Sequence, residues 1–346
     1  MDIEQKENVG RIFSRFFDDT VSSYRIVNTS RDEADFREAV MVQTDAGGQY
    51  VLKLADNDFT FPDKISMWQR TAEEYRKLGY YCPRIYSDRN GGFSRIRCAG
   101  HDCVAYAEDF APYHPAAERA SQAEDTAGEG KRLYDRYKAE VWRMTARIAA
   151  KRFDYTDYPS AYCLFETFCP SDETDEVLEN ALAWKAYAET LPEEFGEQVQ
   201  RIWRLWADNR AALEAVYPLL PRSVFQADLN PTNILLNDEG DFVGVYDFNI
   251  CGREVFLNYL MRENFGAFEA EIDMIREALQ IAGEVYDFSE SEKETALPLY
   301  RCLKPLWFNK LMGLKAQGID RAAIRQFLDT TEHYLTADID FKSYMG

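Results

Sequence analysis

Histidine is scarce in this chain, cysteine comes without pairs, and basic residues are outnumbered. The three histidines (His101, His114, His333) stand far apart, which argues against a His-rich metal centre and a His-based nucleophile relay. Seven cysteines, an odd number with no C-x-x-C among them, indicate neither a zinc site nor a disulfide framework, and a reducing compartment fits. No stretch offers the ~18 uninterrupted apolar residues of a membrane span. The opening MDIEQKENVGRIF lacks a basic segment followed by an apolar one, so a cytoplasmic protein with no membrane partner is expected. Forty Lys and Arg against sixty Asp and Glu leave a net charge of −20. Phosphate-backbone binding needs a basic face, so nucleic acid is not an expected partner.

What is present is a globular composition, 46% hydrophobic and 29% charged over 346 residues, enough for one large or two modest domains. The early chain is rich in strand signals. YRIVNT, REAVMVQT and QYVLKLA follow one another, the last two joined by Asp45-Ala46-Gly47-Gly48, a hairpin linker. ISMWQRTAEEYRKLG then carries Trp68, Thr71, Tyr75 and Leu78 at helical spacing, with Gly79 as a stop. Further strands are expected at Pro83–Tyr86 and Cys103–Tyr106, around a turn at 88–92. Residues 116–130 are small, polar and acidic, which suits a mobile connection. Beyond them helical patterns dominate, at 131–153, 193–217, 255–282 and 321–336. The sequence therefore reads as α+β, with a strand-rich N-terminal lobe over 1–107 and a larger helical lobe over 108–346.

One β-rich island, residues 223–249, interrupts the helical part. Asp228 follows an apolar run, Asn233 lies five residues later, Ile234-Leu235-Leu236 forms a strand, and Asn237-Asp238-Glu239-Gly240 turns the chain. A second strand, Phe242–Tyr246, ends at Asp247. An antiparallel hairpin brings its open ends together, so Asn233 and Asp247 are expected side by side as two hard oxygen donors suited to Mg²⁺. Asp228 is then placed to accept a proton from a hydroxyl attacking phosphorus.

This island resembles the catalytic hairpin of the protein-kinase-like fold, in its small-molecule branch, the aminoglycoside phosphotransferase and choline kinase superfamily. There the loop usually reads His-Gly-Asp-x-x-x-x-Asn, with a later Asp-Phe-Asp. Here it reads Gln226-Ala227-Asp228-Leu229-Asn230-Pro231-Thr232-Asn233 and then Tyr246-Asp247-Phe248-Asn249. Gln226 replaces the histidine and Ala227 the glycine, and Asn258-Tyr259-Leu260 stands where many relatives carry Asp-Leu.

The resemblance implies a two-lobed fold and transfer of the γ-phosphoryl group of ATP or GTP, with Mg²⁺, to a hydroxyl of a small molecule. It implies a strand lysine on the phosphates, a demand met by Lys53, and a helix carboxylate holding it. Glu74 is preferred for that carboxylate, one turn before Leu78, with Glu73 the alternative. Ser30, in the Ser30–Phe36 connection, is a candidate phosphate contact. The base is expected against the Ala107–Phe110 linker, through the backbone of Glu108 and Phe110, between Val51 above and Leu235 or Tyr246 below. Asp228 would be the catalytic base, with Asn233 and Asp247 as metal ligands.

The acceptor pocket is expected in the helical lobe, among an aromatic run that includes Tyr158 and Tyr162 and tryptophans such as Trp184 and Trp307. Aromatic faces and the −20 charge both favour a cationic acceptor of the aminoglycoside, choline or amino-alcohol kind. The rival reading, favoured by Gln226, is a weak or inert nucleotide binder of the same fold serving as a scaffold or coat component.

Overall fold

The computed structural model describes residues 3–31, 34–122, 129–264 and 266–346. The chain divides into two compact units, one made of Met1–Tyr137, Cys169–Ser171 and Asp228–Gly252, the other of Lys138–Phe168, Asp172–Ala227 and Arg253–Gly346. The division thus lies beyond residue 107, and the 228–252 hairpin groups with the strand-rich unit. The fold class is α+β, as expected.

The strand-rich unit is built on an antiparallel sheet of β1 (Val21–Asn28), β2 (Phe36–Thr44), β3 (Gln49–Asp56), β4 (Ile85–Tyr86), β5 (Arg95–Cys98) and β6 (His101–Asp109). The order is β1-β2-β3-β6-β4, with β5 also on β6. Helices α1 (Ile3–Phe13) and α2 (Pro62–Lys77) complete this part. The period-2 alternation of β2 and β3 splits the sheet into two chemically different faces. Val40, Val42, Leu52, Leu54, Ala105 and Ala107 turn to one side and form a core with Val9, Ile12 and Phe13 of α1. Helix α1 and strand β5 were not anticipated. Within β5 only Ile96 is buried, too little apolar pattern to mark a strand.

Strand β6 runs on through Asp109, so Ala107–Asp109 is sheet and not linker. After it come β7 (His114–Pro115), α3 (Ala116–Gln122) and α4 (Glu129–Ala149). The expected mobile connection is therefore helical at 116–122, where AAERASQ supplies good helix formers; 123–128 lie outside the described residues. Later in the chain lie β8 (Arg222–Phe225), β9 (Ile234–Leu236), β10 (Phe242–Val245) and β11 (Gly252–Val255). β9 and β10 are the expected hairpin, with Val245 opposite Ile234, and β7 adds to the other edge of β9.

The second unit is helical: α5 (Glu176–Ala188), α6 (Gly196–Val216), α7 (Phe256–Arg262), α8 (Phe268–Gly283), α9 (Glu290–Leu303), α10 (Phe308–Ala316) and α11 (Arg321–Thr336). α6 packs on α9 and α11, and α10 on α5. The single helical pattern expected over 255–282 is two helices, interrupted around Asn264 and Gly266, both weak helix formers. Side-chain caps fix several starts: Asp175 for α5, Asp320 for α11, and a Ser289–Glu292 capping box for α9. Among the described residues no helix is long and apolar enough to cross a membrane.

Candidate active site

The face of the sheet opposite α1 carries the expected nucleotide residues. In register, Lys53 stands opposite Tyr106 and Val51 opposite Glu108, while Met41 and Ala39 of β2 lie across from Val51 and Lys53. Paired residues of antiparallel strands share a face, so these six side chains form one patch. Helix α2 reaches it through Trp68, whose ring meets Tyr106 edge-on at 6.0 Å. At the outer end a cavity of about 260 Å³ is bordered by Arg25, Met41, Gln43, Gln49 and Phe110.

The hairpin is fixed to this unit by main-chain bonds. Tyr81 N–H donates to Val243 O at 2.9 Å, and Val245 N–H donates to Tyr81 O at 3.0 Å. A side chain at Gly244 would put its Cβ 1.9 Å from Tyr81 O, so only glycine allows this approach. The turn at 237–241 is held by Arg119, which donates to Asp238 O at 2.9 Å, and by Arg136, which donates to Glu239 O at 2.8 Å. Past the hairpin, Phe248 meets Tyr75 of α2 edge-on at 5.5 Å. Asp247 is thus held between two anchored segments, in a left-handed conformation (φ 60°) that non-glycine residues seldom adopt.

Both oxygens of Asp228 accept from neighbouring amides, Oδ1 from Asn230 Nδ2 at 2.5 Å and Oδ2 from Asn233 Nδ2 at 2.9 Å. Asn233 Nδ2 also donates to Asp228 O at 3.0 Å. Its own carbonyl accepts from Tyr246 N–H at 3.2 Å, which brings the Asn233 and Asp247 ends of the hairpin together. Burial pushes the Asp228 carboxyl above its ordinary range; Asn230 and Asn233 pull against that and the Asp247 charge adds to it. Asn230 was not anticipated, although Asn-Pro-Thr is a turn signal in which its Oδ1 accepts from Thr232 N–H at 2.8 Å.

Lys53 Nζ lies 3.7 Å from Asp247 Oδ1. Burial alone would lower its pKa, but the charges of Asp247 and Glu108 outweigh that and hold it above the usual lysine range. The expected clamp from α2 is not formed. Glu74 pairs with Lys77 at 2.9 Å and Glu73 with Arg76 at 2.6 Å, each within its own helix. The helix turns Lys64, Trp68, Thr71 and Tyr75 inward, with Glu73 exposed and Glu74 half-buried beside Lys77.

The remaining expected contacts are distributed unevenly. Ser30 Oγ accepts from Arg37 N–H at 2.9 Å and closes the β1–β2 connection, so it is committed to the backbone; Asp32 and Glu33 lie outside the described residues. Leu235 is buried in β9 and Tyr246 half-buried beyond β10. Phe110 is partly exposed, with its N–H donating to Gln49 O at 3.3 Å. Glu108 is buried, and its side chain, not only its backbone, belongs to the patch.

In the helical unit three of the aromatic candidates, Trp184, Trp206 and Trp307, are buried, and most of the others are half-buried. Trp184 and Trp206 are fully buried, and Trp206 Nε1 donates to Cys302 O at 2.9 Å. Tyr162 and Trp307 do flank a cation, but it is the guanidinium of Arg262, at 4.6 and 4.9 Å from their ring centres.

The Asp228 carboxylate with its two amide donors, the hairpin ending in Asp247 and Lys53 beside that end lie in one unit. Residues 29–254, more than half the chain, match the model of the phosphotransferase enzyme family known as APH. The chain belongs to that family. Solved structures are similar to this APH chain. An amicoumacin kinase, hAmiN, solved with AMP-PNP, Ca²⁺ and its substrate, superposes with a TM-score of 0.53 at 13% identity, covering 99% of this chain and 98% of that one. A type I macrolide 2'-phosphotransferase gives a TM-score of 0.48 at 9% identity over 98% and 99%. An aminoglycoside phosphotransferase from Alicyclobacillus acidocaldarius gives 0.46 at 11% over 94% and 95%. No curated protein matches the sequence.

Proposed function

We propose that this APH-family protein transfers the γ-phosphoryl group of ATP or GTP to a hydroxyl of a small molecule. The observation that carries the reading is the Asp228 carboxylate, held by Asn230 and Asn233 and raised in basicity by burial, in the same unit as the Lys53–Asp247 pair. A base works best when its pKa approaches the working pH, and the upward shift of Asp228 moves it that way. Asp228 orients the acceptor hydroxyl and takes its proton, while Lys53 draws the nucleotide's phosphates to the sheet. The base lies on Val51 and Met41 beside the Glu108–Phe110 backbone.

The donor set fits a hard divalent cation. Asn233 Oδ1 and the Asp247 carboxylate are two oxygen ligands, few enough that phosphate oxygens and water complete the shell, as Mg²⁺ favours. When bound, Mg²⁺ would neutralise phosphate charge. Lys53 stands 3.7 Å from the Asp247 carboxylate, on the side the phosphates would approach.

For the acceptor, the −20 net charge favours a cationic molecule, and the similarity to an amicoumacin kinase is consistent with a natural-product acceptor. The Tyr162–Trp307 pair already holds Arg262, so an acceptor amine has to be met by carboxylates elsewhere. The second reading, an inert nucleotide binder, rests on Gln226, which is fully buried in the histidine's place. Incubation with ATP, Mg²⁺ and a panel of aminoglycosides, macrolides, choline-like amines, amino alcohols and sugars tests the two. Phosphorylated product from any acceptor supports the enzyme; tight ATP binding with no product across the panel supports the inert binder.

A further inference from the structure

Lys53 has a second carboxylate neighbour besides Asp247, and it comes from the sheet. Glu108 stands opposite Val51, one position diagonal to Lys53 across the β3–β6 pair, on the same face. Diagonal neighbours on antiparallel strands lie about 7–8 Å apart at the backbone, within reach of two long side chains. We propose that Glu108 is the positioning residue that holds the Lys53 ammonium in place for the nucleotide's phosphates, a role that rests on the phosphotransferase reading above.

Three observations converge. First, Glu73 and Glu74 of α2 are paired with Arg76 and Lys77 of their own helix, not with Lys53. Second, Asp247 is proposed as a metal ligand, and a carboxylate shared with a divalent cation offers Lys53 less. Third, Glu108 is only 5% exposed. A carboxylate in so buried a position is costly unless a cation compensates it, and Lys53 is the cation whose charge acts on it. Burial drives the Glu108 carboxyl up to about 7, Lys53 opposes that rise, and Asp247 adds to it. The strand-borne carboxylate thus occupies the place that a helix carboxylate was expected to fill.

The test is a double-mutant cycle read by calorimetric titration of ATP with Mg²⁺ into the full-length protein: wild type, Glu108→Gln, Lys53→Met and both together. Glu108→Gln is nearly isosteric and removes a buried charge, so the fold should survive, as thermal melting checks. If Glu108 acts through Lys53, each single change weakens binding roughly 5- to 50-fold, and adding Glu108→Gln to Lys53→Met changes affinity by less than about 2-fold. Glu108→Asp keeps the charge on a shorter stem and recovers part of the affinity; it replaces Glu108→Gln in the cycle should the latter not fold. Glu74→Gln leaves ATP affinity as it was. Equal losses from Glu108→Gln in both backgrounds, or no loss from either single change, overturn the proposal. A wild-type protein that binds neither ATP nor GTP overturns the phosphotransferase reading itself, which keeps the two failures distinct.

Discussion

Asn233 donates one amide to both the carboxylate and the carbonyl of Asp228, at 2.9 and 3.0 Å, while its carbonyl accepts the Tyr246 N–H next to Asp247. One side chain and its backbone therefore tie the proposed base to the end of the hairpin that carries the proposed metal ligand. This coupling lets the two aspartates be separated by experiment.

Asp228→Asn keeps the shape of the loop and removes the proton acceptor. Turnover is expected to drop roughly 10²-fold or more, the usual scale for a positioned base, with affinity for ATP and Mg²⁺ nearly unchanged. Steady-state kinetics beside equilibrium nucleotide binding checks this. A large loss of ATP affinity would show that Asp228 serves the nucleotide instead.

Asp247→Asn removes the charge that faces Lys53 at 3.7 Å. Asparagine tolerates the left-handed backbone at this position, so the fold should hold. The gain in ATP affinity that Mg²⁺ confers on the wild type is expected to disappear, and turnover with it. Thermal shifts with ATP in Mg²⁺ and in EDTA measure the difference; an undiminished Mg²⁺ effect in the variant would remove Asp247 from the metal site.

Gly244→Ala tests how the hairpin is attached. Its Cβ would stand 1.9 Å from Tyr81 O, against backbone that has no room to yield, so the two bonds between Tyr81 and the hairpin must break or lengthen. A loss of about 2–4 kcal/mol in unfolding free energy is expected, at the high end for a point change, measurable by denaturant titration. A change below about 0.5 kcal/mol would mean the attachment contributes little.

In the helical unit, Glu254 gives a prediction about pH. Its Oε1 accepts from the Tyr217 hydroxyl at 2.6 Å while Oε2 is buried without a donor, and burial pushes the carboxyl up to about 7. Between the ordinary glutamate value and that one, the folded protein holds a proton that the unfolded chain has released. Stability therefore falls as pH rises through about 4.5 to 7, by about 2–3 kcal/mol from this group. Glu254→Gln should flatten that slope and raise Tm at pH 8 relative to the wild type. Glu108 titrates in the same range, so part of the slope remains. An unchanged slope in Glu254→Gln would mean that Glu254 is ionised in the folded protein at acidic pH.

The features legible in the sequence were the local ones. Alternation in QYVLKLA set Val51 and Lys53 on one face, and the spacing from Asp228 through Asn233 to Asp247 placed a hairpin between two strand patterns. Both depend on neighbours within a few tens of residues. The position of Glu108 diagonal to Lys53 could not be read that way, since it follows from the β3–β6 register, a pairing set by the whole sheet. Glu74 looked suitable by counting back from Leu78, but the phase of α2 is set by what it buries, and Lys77 on the same helix takes that carboxylate. Nor could the sequence show which cation Tyr162 and Trp307 face, since Arg262 comes to them from a distant part of the chain.

The most direct measurement is the appearance of phosphorylated acceptor, detected by mass spectrometry, when the wild type and Asp228→Asn are each given ATP, Mg²⁺ and the acceptor panel. A product from the wild type carrying one added phosphoryl group, formed at least about 10²-fold more slowly by the variant, is the predicted result. No product from any acceptor, or equal rates from the two proteins, would contradict the account.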